Sequence, residues 1–187
     1  EPMQVYYLNK HSMCEHYQCN SPTGFRVVTE KQGATRHTDP SRTAMIFLLK
    51  GELSVAGKRF PQFTVRRNQM FPMPAGTDNS ITFVQDSMLL VLYFIDSKFR
   101  FCHSILTDEM IRNAPPRNDW LFAMDMVKPL KVLSQQIADY VMDGLLCCDI
   151  QLIKQREFTA ILQAYYPKEE LLPFLNPLFR VNLSFQE

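Results

Sequence analysis

Short hydrophobic runs separated by turn residues fill the chain from Gly24 to about Leu106. This spacing is typical of β-strands joined by tight connections. The residues between the runs include Gly51, Gly57 and Gly76, which suit the unusual φ angles of tight turns. The clearest predicted strands are residues 45–49, 52–55, 63–65, 70–73, 81–84 and 88–95, with 99–105 as a further candidate. The pattern predicts several hairpins in series, as in a β-sandwich or β-barrel.

The hydrophobic spacing changes beyond Leu106 to one apolar residue every three or four positions, which places these residues on one face of a helix. Thr107 is expected to cap a short helix that the proline-containing stretch 113–118 ends. A second helix begins near Pro129, a third covers about 150–165, and Pro167 suits the start of a fourth. We therefore predict an N-terminal arm and β-barrel over 1–106 and a helical region over 107–187.

The composition is that of an ordinary globular protein: 187 residues, 46% of them hydrophobic and 21% charged. Lys+Arg total 20 and Asp+Glu total 19, so net charge gives no reason to expect binding to nucleic acid or an anionic membrane. The longest apolar run, 88–95, is too short to cross a bilayer, and a cytoplasmic protein is expected. Reduced thiols are expected from an odd cysteine count: Cys14, Cys19, Cys102, Cys147 and Cys148.

Two stretches of the β-region resemble the cupin superfamily. His37-Thr38-Asp39 followed by the hairpin residues 47–53 resembles the first motif of that superfamily, and Asn68 followed by Pro74-Ala75-Gly76 and Asn79 resembles the second. The resemblance implies a mainly β fold with α, a double-stranded β-helix (jelly-roll) barrel followed by a helical hairpin or small bundle. Members of the superfamily usually hold a metal ion with ligands from both motifs.

The ligand positions implied by this resemblance fall at His37, Asp39, Ala44 and Asn79. Alanine and an amide cannot replace a carboxylate and an imidazole, so we expect no metal, no cofactor and no catalytic residues. The cluster His11, Cys14, His16 and Cys19 matches no zinc module in its spacing, and we interpret it as a chance grouping. Phosphate-loop, dinucleotide and nucleophile-elbow motifs are absent, and the protein is predicted not to be an enzyme.

Several stretches of the helical region resemble AraC-type transcription regulators of the Bacteroides kind. They are residues 143–147, 153–158, 164–171, 177–179 and 183–185, with Tyr165-Tyr166 in the third. The resemblance implies an effector-sensing domain that forms a homodimer, with DNA bound only by a separate helix-turn-helix domain that this sequence lacks. The alternatives are a stand-alone cupin module that binds a small molecule and a metal-dependent cupin enzyme.

Strand parity gives a first list of pocket residues. If Ala44 faces inward, Ile46 and Leu48 do so too, and the same argument links Asn79 to Ile81 and Phe83. The pocket candidates are His37, Asp39, Ile46, Leu48, Asn79, Ile81 and Phe83. Such a pocket favours a partly apolar ligand, although the barrel could equally be filled by its own side chains.

A stripe on the second predicted helix is the candidate dimer interface. It consists of Leu130, Leu133, Ile137 and Val141. The alternative is that the same stripe covers the barrel, because amphipathic spacing reveals a buried face but not its partner.

Overall fold

A computed structural model of the protein describes residue 6 and residues 24–94, 101, 105–115, 120–145 and 147–180. The described residues form nine strands: β1 Gly24–Glu30, β2 Thr35–His37, β3 Thr43–Lys50, β4 Glu52–Gly57, β5 Phe60–Arg66, β6 Gln69–Met73, β7 Asn79–Phe83, β8 Ser87–Phe94 and β9 Met124–Asp125. They also form four helices: α1 Asp108–Arg112, α2 Lys128–Asp143, α3 Cys148–Tyr165 and α4 Lys168–Arg180. The strand predicted at 99–105 lies largely outside the described residues.

The strands make two antiparallel sheets in the order β1-β8-β3-β6-β9 and β2-β7-β4-β5. Apart from the β4-β5 hairpin, successive strands from β1 to β8 lie in opposite sheets, which gives the two facing four-stranded layers of a jelly roll. The helices follow the barrel in the chain. The predicted fold, a mainly β jelly roll with C-terminal helices, is confirmed.

The five-stranded sheet is buried on both of its faces, as strand β3 illustrates. Ala44, Ile46 and Leu48 point into the space between the sheets, whereas Met45 and Phe47 belong to a second core on the opposite face. Successive side chains of a strand point to opposite faces, so an unbroken apolar run serves both cores. The parity argument from Ala44 is therefore correct for the direction of these side chains.

The helices cover the outer face of this sheet. Phe158 of α3 meets Phe47 edge to face, with 5.4 Å between ring centroids. Thr107 caps α1 as predicted, because its hydroxyl accepts the backbone N–H of Met110 at 3.2 Å. Gly144 ends α2 in a left-handed conformation with φ 85°. Within the part of the chain that the structure describes, no helix is long and apolar enough to span a membrane.

The apolar stripe of α2 packs inside the monomer. Leu130, Leu133 and Ile137 are 0%, 3% and 4% exposed, and Val141 packs against the same core. The stripe contacts the sheet core, so the alternative in which it covers the barrel describes the structure. These four residues do not form an exposed surface that a second copy could contact.

Part of the predicted helical region returns to the barrel. Strand β9 pairs Gln69 with Asp125 and Met70 with Met124, which adds a fifth strand to the larger sheet. Leu121 is 1% exposed and lies in the core between the two sheets. Two residues are too few for hydrophobic alternation to reveal a strand, so this element had no signal in the sequence.

Cys148 is disulfide-bonded, whereas the adjacent Cys147 keeps a free thiol. The expectation of reduced thiols is therefore wrong for Cys148. A disulfide depends on the approach of two Cβ atoms in the folded chain, which cysteine count and spacing do not reveal. Because disulfides persist mainly in oxidising compartments, the cytoplasmic location stays a prediction.

We predict that Gly51→Ala destabilises the protein much more than Gly33→Ala. Both glycines have positive φ, 92° and 84°, but a Cβ on Gly51 would lie 2.1 Å from Ser87 Oγ and 2.7 Å from the Asp86 carbonyl oxygen. A Cβ on Gly33 meets nothing within 4 Å. We expect a loss of about 1 kcal/mol at Gly33 from the left-handed backbone alone, and more than about 3 kcal/mol at Gly51. Urea unfolding of both variants tests this, and equal losses would contradict it.

We also predict that Tyr166 anchors the helices to the barrel. Its hydroxyl accepts the Val127 N–H at 2.9 Å and donates to the Asp125 carbonyl at 2.7 Å. Tyr166→Phe leaves that N–H without its acceptor, so we expect a loss of about 1–3 kcal/mol in unfolding free energy. The control is Tyr165→Phe, whose ring is 57% exposed and should tolerate the change.

Alkaline unfolding provides a second measurement on the same pair of variants. Burial raises the pKa of Tyr166 above its ordinary value, so the unfolded chain ionises first as pH rises. The stability from this group is therefore complete below about pH 10 and is lost above it. Tyr166→Phe should lack this part of the pH dependence, and an unchanged alkaline profile would argue against the anchor.

Candidate functional site

A cavity of about 90 Å³ opens at one end of the jelly roll, between its two sheets. We call it the barrel cavity. Its wall is apolar and consists of Val28, Ala44, Ile46, Met73, Ile81, Phe83, Leu89 and Val91. Its mouth carries the polar residues, which are Arg36, His37, Thr38, Asp39, Arg42 and Tyr93. An apolar interior with a few polar groups at one end is the general form of a small-molecule site.

The structure brings together five of the seven pocket candidates around this cavity: His37, Asp39, Ile46, Ile81 and Phe83. The other two take different positions. Leu48 is completely buried deeper in the core between the sheets and does not line the cavity. Asn79 is 2% exposed, and its side-chain amide donates to Thr77 Oγ1 at 2.5 Å and to Met73 Sδ at 3.0 Å. That a ligand occupies the cavity stays a prediction.

Arg42 is one of four residues of the mouth that sequence reasoning missed, together with Arg36, Thr38 and Tyr93. It is half-buried immediately before β3, and its guanidinium carbon lies 3.7 Å from the centroid of the Tyr93 ring on β8. Among the described residues, no carboxylate oxygen lies within 4.0 Å of its nitrogens. Stacking on an aromatic ring fixes the guanidinium plane while leaving its N–H groups available. Arg42 is two residues before Ala44, so strand parity places it on the side of the sheet that faces the cavity. Its charge alone gave no indication of a binding role.

The remaining charged groups of the mouth are engaged locally. The Asp39 carboxylate accepts hydrogen bonds from the Ser41 hydroxyl at 2.6 Å and the Ser41 amide at 2.9 Å, and these bonds lower the pKa of Asp39. Arg36 forms an ion pair with Glu30. His37 Nδ1 lies 3.4 Å from Asp78 Oδ1, and both side chains are largely exposed. Arg42 therefore differs from its neighbours in having no ion pair within 4.0 Å among the described residues, although its charge contributes to the low pKa of Asp39.

The residues at the positions of the cupin metal ligands do not fit a metal ion. The side chain of Ala44 has no atom that could bind a metal, and the amide nitrogen of Asn79 donates two intramolecular hydrogen bonds. Asp39 accepts from Ser41, and the exposed imidazole of His37 lies beside Asp78. Within the described ranges, no three His, Cys, Asp or Glu side chains converge as a cation site would require. The cluster at His11, Cys14, His16 and Cys19 lies outside the described residues.

A second depression lies where strands β1, β3 and β8 approach the Gly51 turn, and it is larger, at about 260 Å³. It is an open groove with mixed charges: Lys31 forms a 2.7 Å salt bridge with Asp86, and Lys50 stands beside them. The Lys31 hydrogen bond holds the pKa of the exposed Asp86 below its ordinary value. Exposed charges paired in this way stay hydrated, so size alone does not make the groove a binding site.

No protein-family model matches the chain. No curated protein matches it either. Among solved structures, ToxT from Vibrio cholerae bound to an unsaturated fatty acid is 16% identical over 78% of this chain and 57% of its own, with a TM-score of 0.49. ToxT bound to (E)-4-(8-methylnaphthalen-1-yl)but-3-enoic acid is 18% identical over 76% of this chain and 58% of its own, with a TM-score of 0.47.

Other similar structures match a smaller share of the chain. A cupin superfamily protein from Desulfitobacterium hafniense is 14% identical over 42% of this chain and 72% of its own, with a TM-score of 0.38. The DMSP lyase DddQ from Ruegeria pomeroyi is 22% identical over 40% of this chain and 39% of its own, with a TM-score of 0.36. The chain spans less than three fifths of the length of ToxT, at 57% and 58%. At these identities the likeness says nothing of ligand or activity.

Proposed function

We propose that this chain is the effector-sensing and dimerisation part of an AraC-type transcription regulator, and that its effector binds in the barrel cavity. The observation that carries the proposal is the cavity itself, which has an apolar wall and a polar mouth inside a jelly roll. The resemblance of residues 143–171 to AraC-type regulators supplies the functional class. DNA recognition belongs, in this proposal, to a helix-turn-helix domain that this sequence does not contain.

The rival proposal of a metal-dependent cupin enzyme has less support. It requires convergent ligands at positions where this chain has Ala44 and a hydrogen-bonded Asn79. A binding protein needs no such set, because apolar burial with a few orienting polar groups is sufficient for recognition. A sensor that performs no chemistry therefore accounts better for the residues around the cavity.

The cavity proposal predicts that a small neutral probe enters the barrel. We expect 1-butanol to shift the methyl NMR signals of Ile46 and Ile81, which line the cavity. The methyl signals of Ile111 and Ile137 should stay in place, because both residues lie in the separate core under the helices. Titration of the isotopically labelled 187-residue chain measures this directly.

A cavity-filling variant provides the matched control. Ala44→Leu adds side-chain volume to the wall, so we expect it to abolish the 1-butanol shifts while costing about 1–3 kcal/mol through overpacking. Retained methyl dispersion would show that the variant is folded. Absence of any probe-dependent shift in the unsubstituted chain would instead favour a barrel filled by its own side chains, and the sensing proposal would fail.

We further propose that the homodimer forms through the exposed face of α3, since the stripe on α2 is buried. Leu152 and Ile153 are 51% and 55% exposed. Ala160 and Ala164 continue an exposed path from Ile153 at helical spacing. Arg156 and Glu157 lie on the same exposed side. A two-fold contact uses the same surface of both copies, so this exposed apolar path would pack against its counterpart, while Glu157 pairs with Lys154 of its own helix at 2.8 Å.

The dimer proposal predicts that Leu152→Glu combined with Ile153→Glu gives a folded monomer. Charges placed at the centre of an apolar interface oppose association, and the two positions are exposed, so the fold should tolerate them. Sedimentation equilibrium measures the change in mass. Val132→Glu is the control, since Val132 is 60% exposed on α2 and outside the proposed surface. A double variant that sediments as the unsubstituted dimer would exclude this face.

A further inference from the structure

We propose that the effector of the barrel cavity is a short-chain monocarboxylate, whose carboxylate pairs with Arg42 and whose apolar body of about four carbons fills the wall. This inference rests on the proposed function and names its ligand class. It comes from the juxtaposition of two features: a ring-stacked guanidinium at the mouth, with no carboxylate within 4.0 Å among the described residues, and a small, apolar interior.

The charge of the ligand follows from Arg42. Burial of an ionised group without a partner is unfavourable, and half-buried Arg42 has no carboxylate within 4.0 Å among the described residues. Tyr93 holds the guanidinium by its face, so the in-plane N–H groups remain for an acceptor. A planar fork of N–H donors matches the two oxygens of a carboxylate. A mono-anion would supply the direct ion-pair partner that Arg42 lacks among the described residues.

The other charged groups of the mouth do not compete for this role. The Asp39 carboxylate is held by two hydrogen bonds from Ser41. Arg36 is neutralised by Glu30, and Asp78 lies beside His37. The cavity lining contains two arginines, and the pairing of Arg36 with Glu30 leaves Arg42 as the guanidinium available to a ligand. One carboxylate matches the single guanidinium of Arg42.

The size of the ligand follows from the cavity. Its volume is about 90 Å³. An engineered apolar cavity of about 150 Å³ holds benzene, so this wall should hold about four carbon atoms. No polar side chain lines its interior beyond the mouth, which disfavours hydroxyl-rich molecules such as sugars because their buried hydroxyls would lack partners. Butanoate to hexanoate is the range that satisfies both limits.

The experiment compares pentanoate with 1-pentanol, using the methyl signals of Ile46 and Ile81 in the 187-residue chain. From acetate to pentanoate, each added methylene should lower the Kd about fourfold, and the Kd should not fall further beyond hexanoate. Arg42→Gln should raise the Kd of pentanoate at least about tenfold while leaving the Kd of 1-pentanol unchanged. Arg59→Gln, an exposed residue outside the cavity lining, should change neither. Arg42→Lys retains the charge but lacks the planar set of N–H donors, so it should give an intermediate loss of affinity for pentanoate.

The outcomes separate this inference from the proposed function. If 1-pentanol binds as tightly as pentanoate, the carboxylate assignment is overturned while the cavity remains a binding site. If octanoate continues the fourfold increments, the short-chain limit is overturned. If neither probe shifts the cavity methyl signals, both proposals fail together. Should Arg42→Gln lose methyl dispersion, the Arg42→Lys comparison still decides the point, because equal affinity to the unsubstituted chain would contradict pairing through the fork.

Discussion

The burial of the five-stranded sheet on both faces is the constraint on which the rest of the structure depends. A sheet with two apolar faces needs two covering layers. The smaller sheet covers the inner face, and the helices cover the outer one. Removing either layer would expose a row of large apolar side chains to water, at a cost of about 25 cal/mol for each Å² exposed. The barrel and the helices therefore share one structural element instead of standing as two independent units.

The same constraint explains why the cavity lies where it does. Side chains from the two sheets fill most of the space between them, with Phe71 and Leu53 fully buried. Toward the mouth, Ala44 supplies little volume at the start of β3, and the larger Arg42 and Tyr93 turn to each other instead of inward. A gap between well-packed layers persists only where small residues leave it and rigid neighbours cannot collapse into it.

Much of the fold could be predicted from the sequence because its signals are local. The apolar runs that became β3 and β8 were long and continuous, α1 had its Thr107 cap, and α2 had clear helical spacing. Strands β2 and β9, with three and two residues, carry too few positions for a period to emerge. Pocket residues on regular strands were also accessible, since parity fixes their direction once one of them is known. The role of Arg42 could not be predicted in this way, because it depends on the Tyr93 ring some fifty residues away in the chain.

The misassigned stripe on α2 shows where sequence reasoning reaches its limit. Leu130, Leu133 and Ile137 have the spacing of a buried helix face, and burial is what the structure gives them. Hydrophobic spacing along a helix shows that one face is buried, but it does not show which surface covers that face. The tertiary fold determines the covering surface. Strand β3 resolves the ambiguity here: its outer residues Met45 and Phe47 require a cover that only the helices provide within the described residues. That strand also lines the barrel cavity through Ala44 and Ile46, so one strand forms part of the cavity wall on one face and part of the helix-covered core on the other.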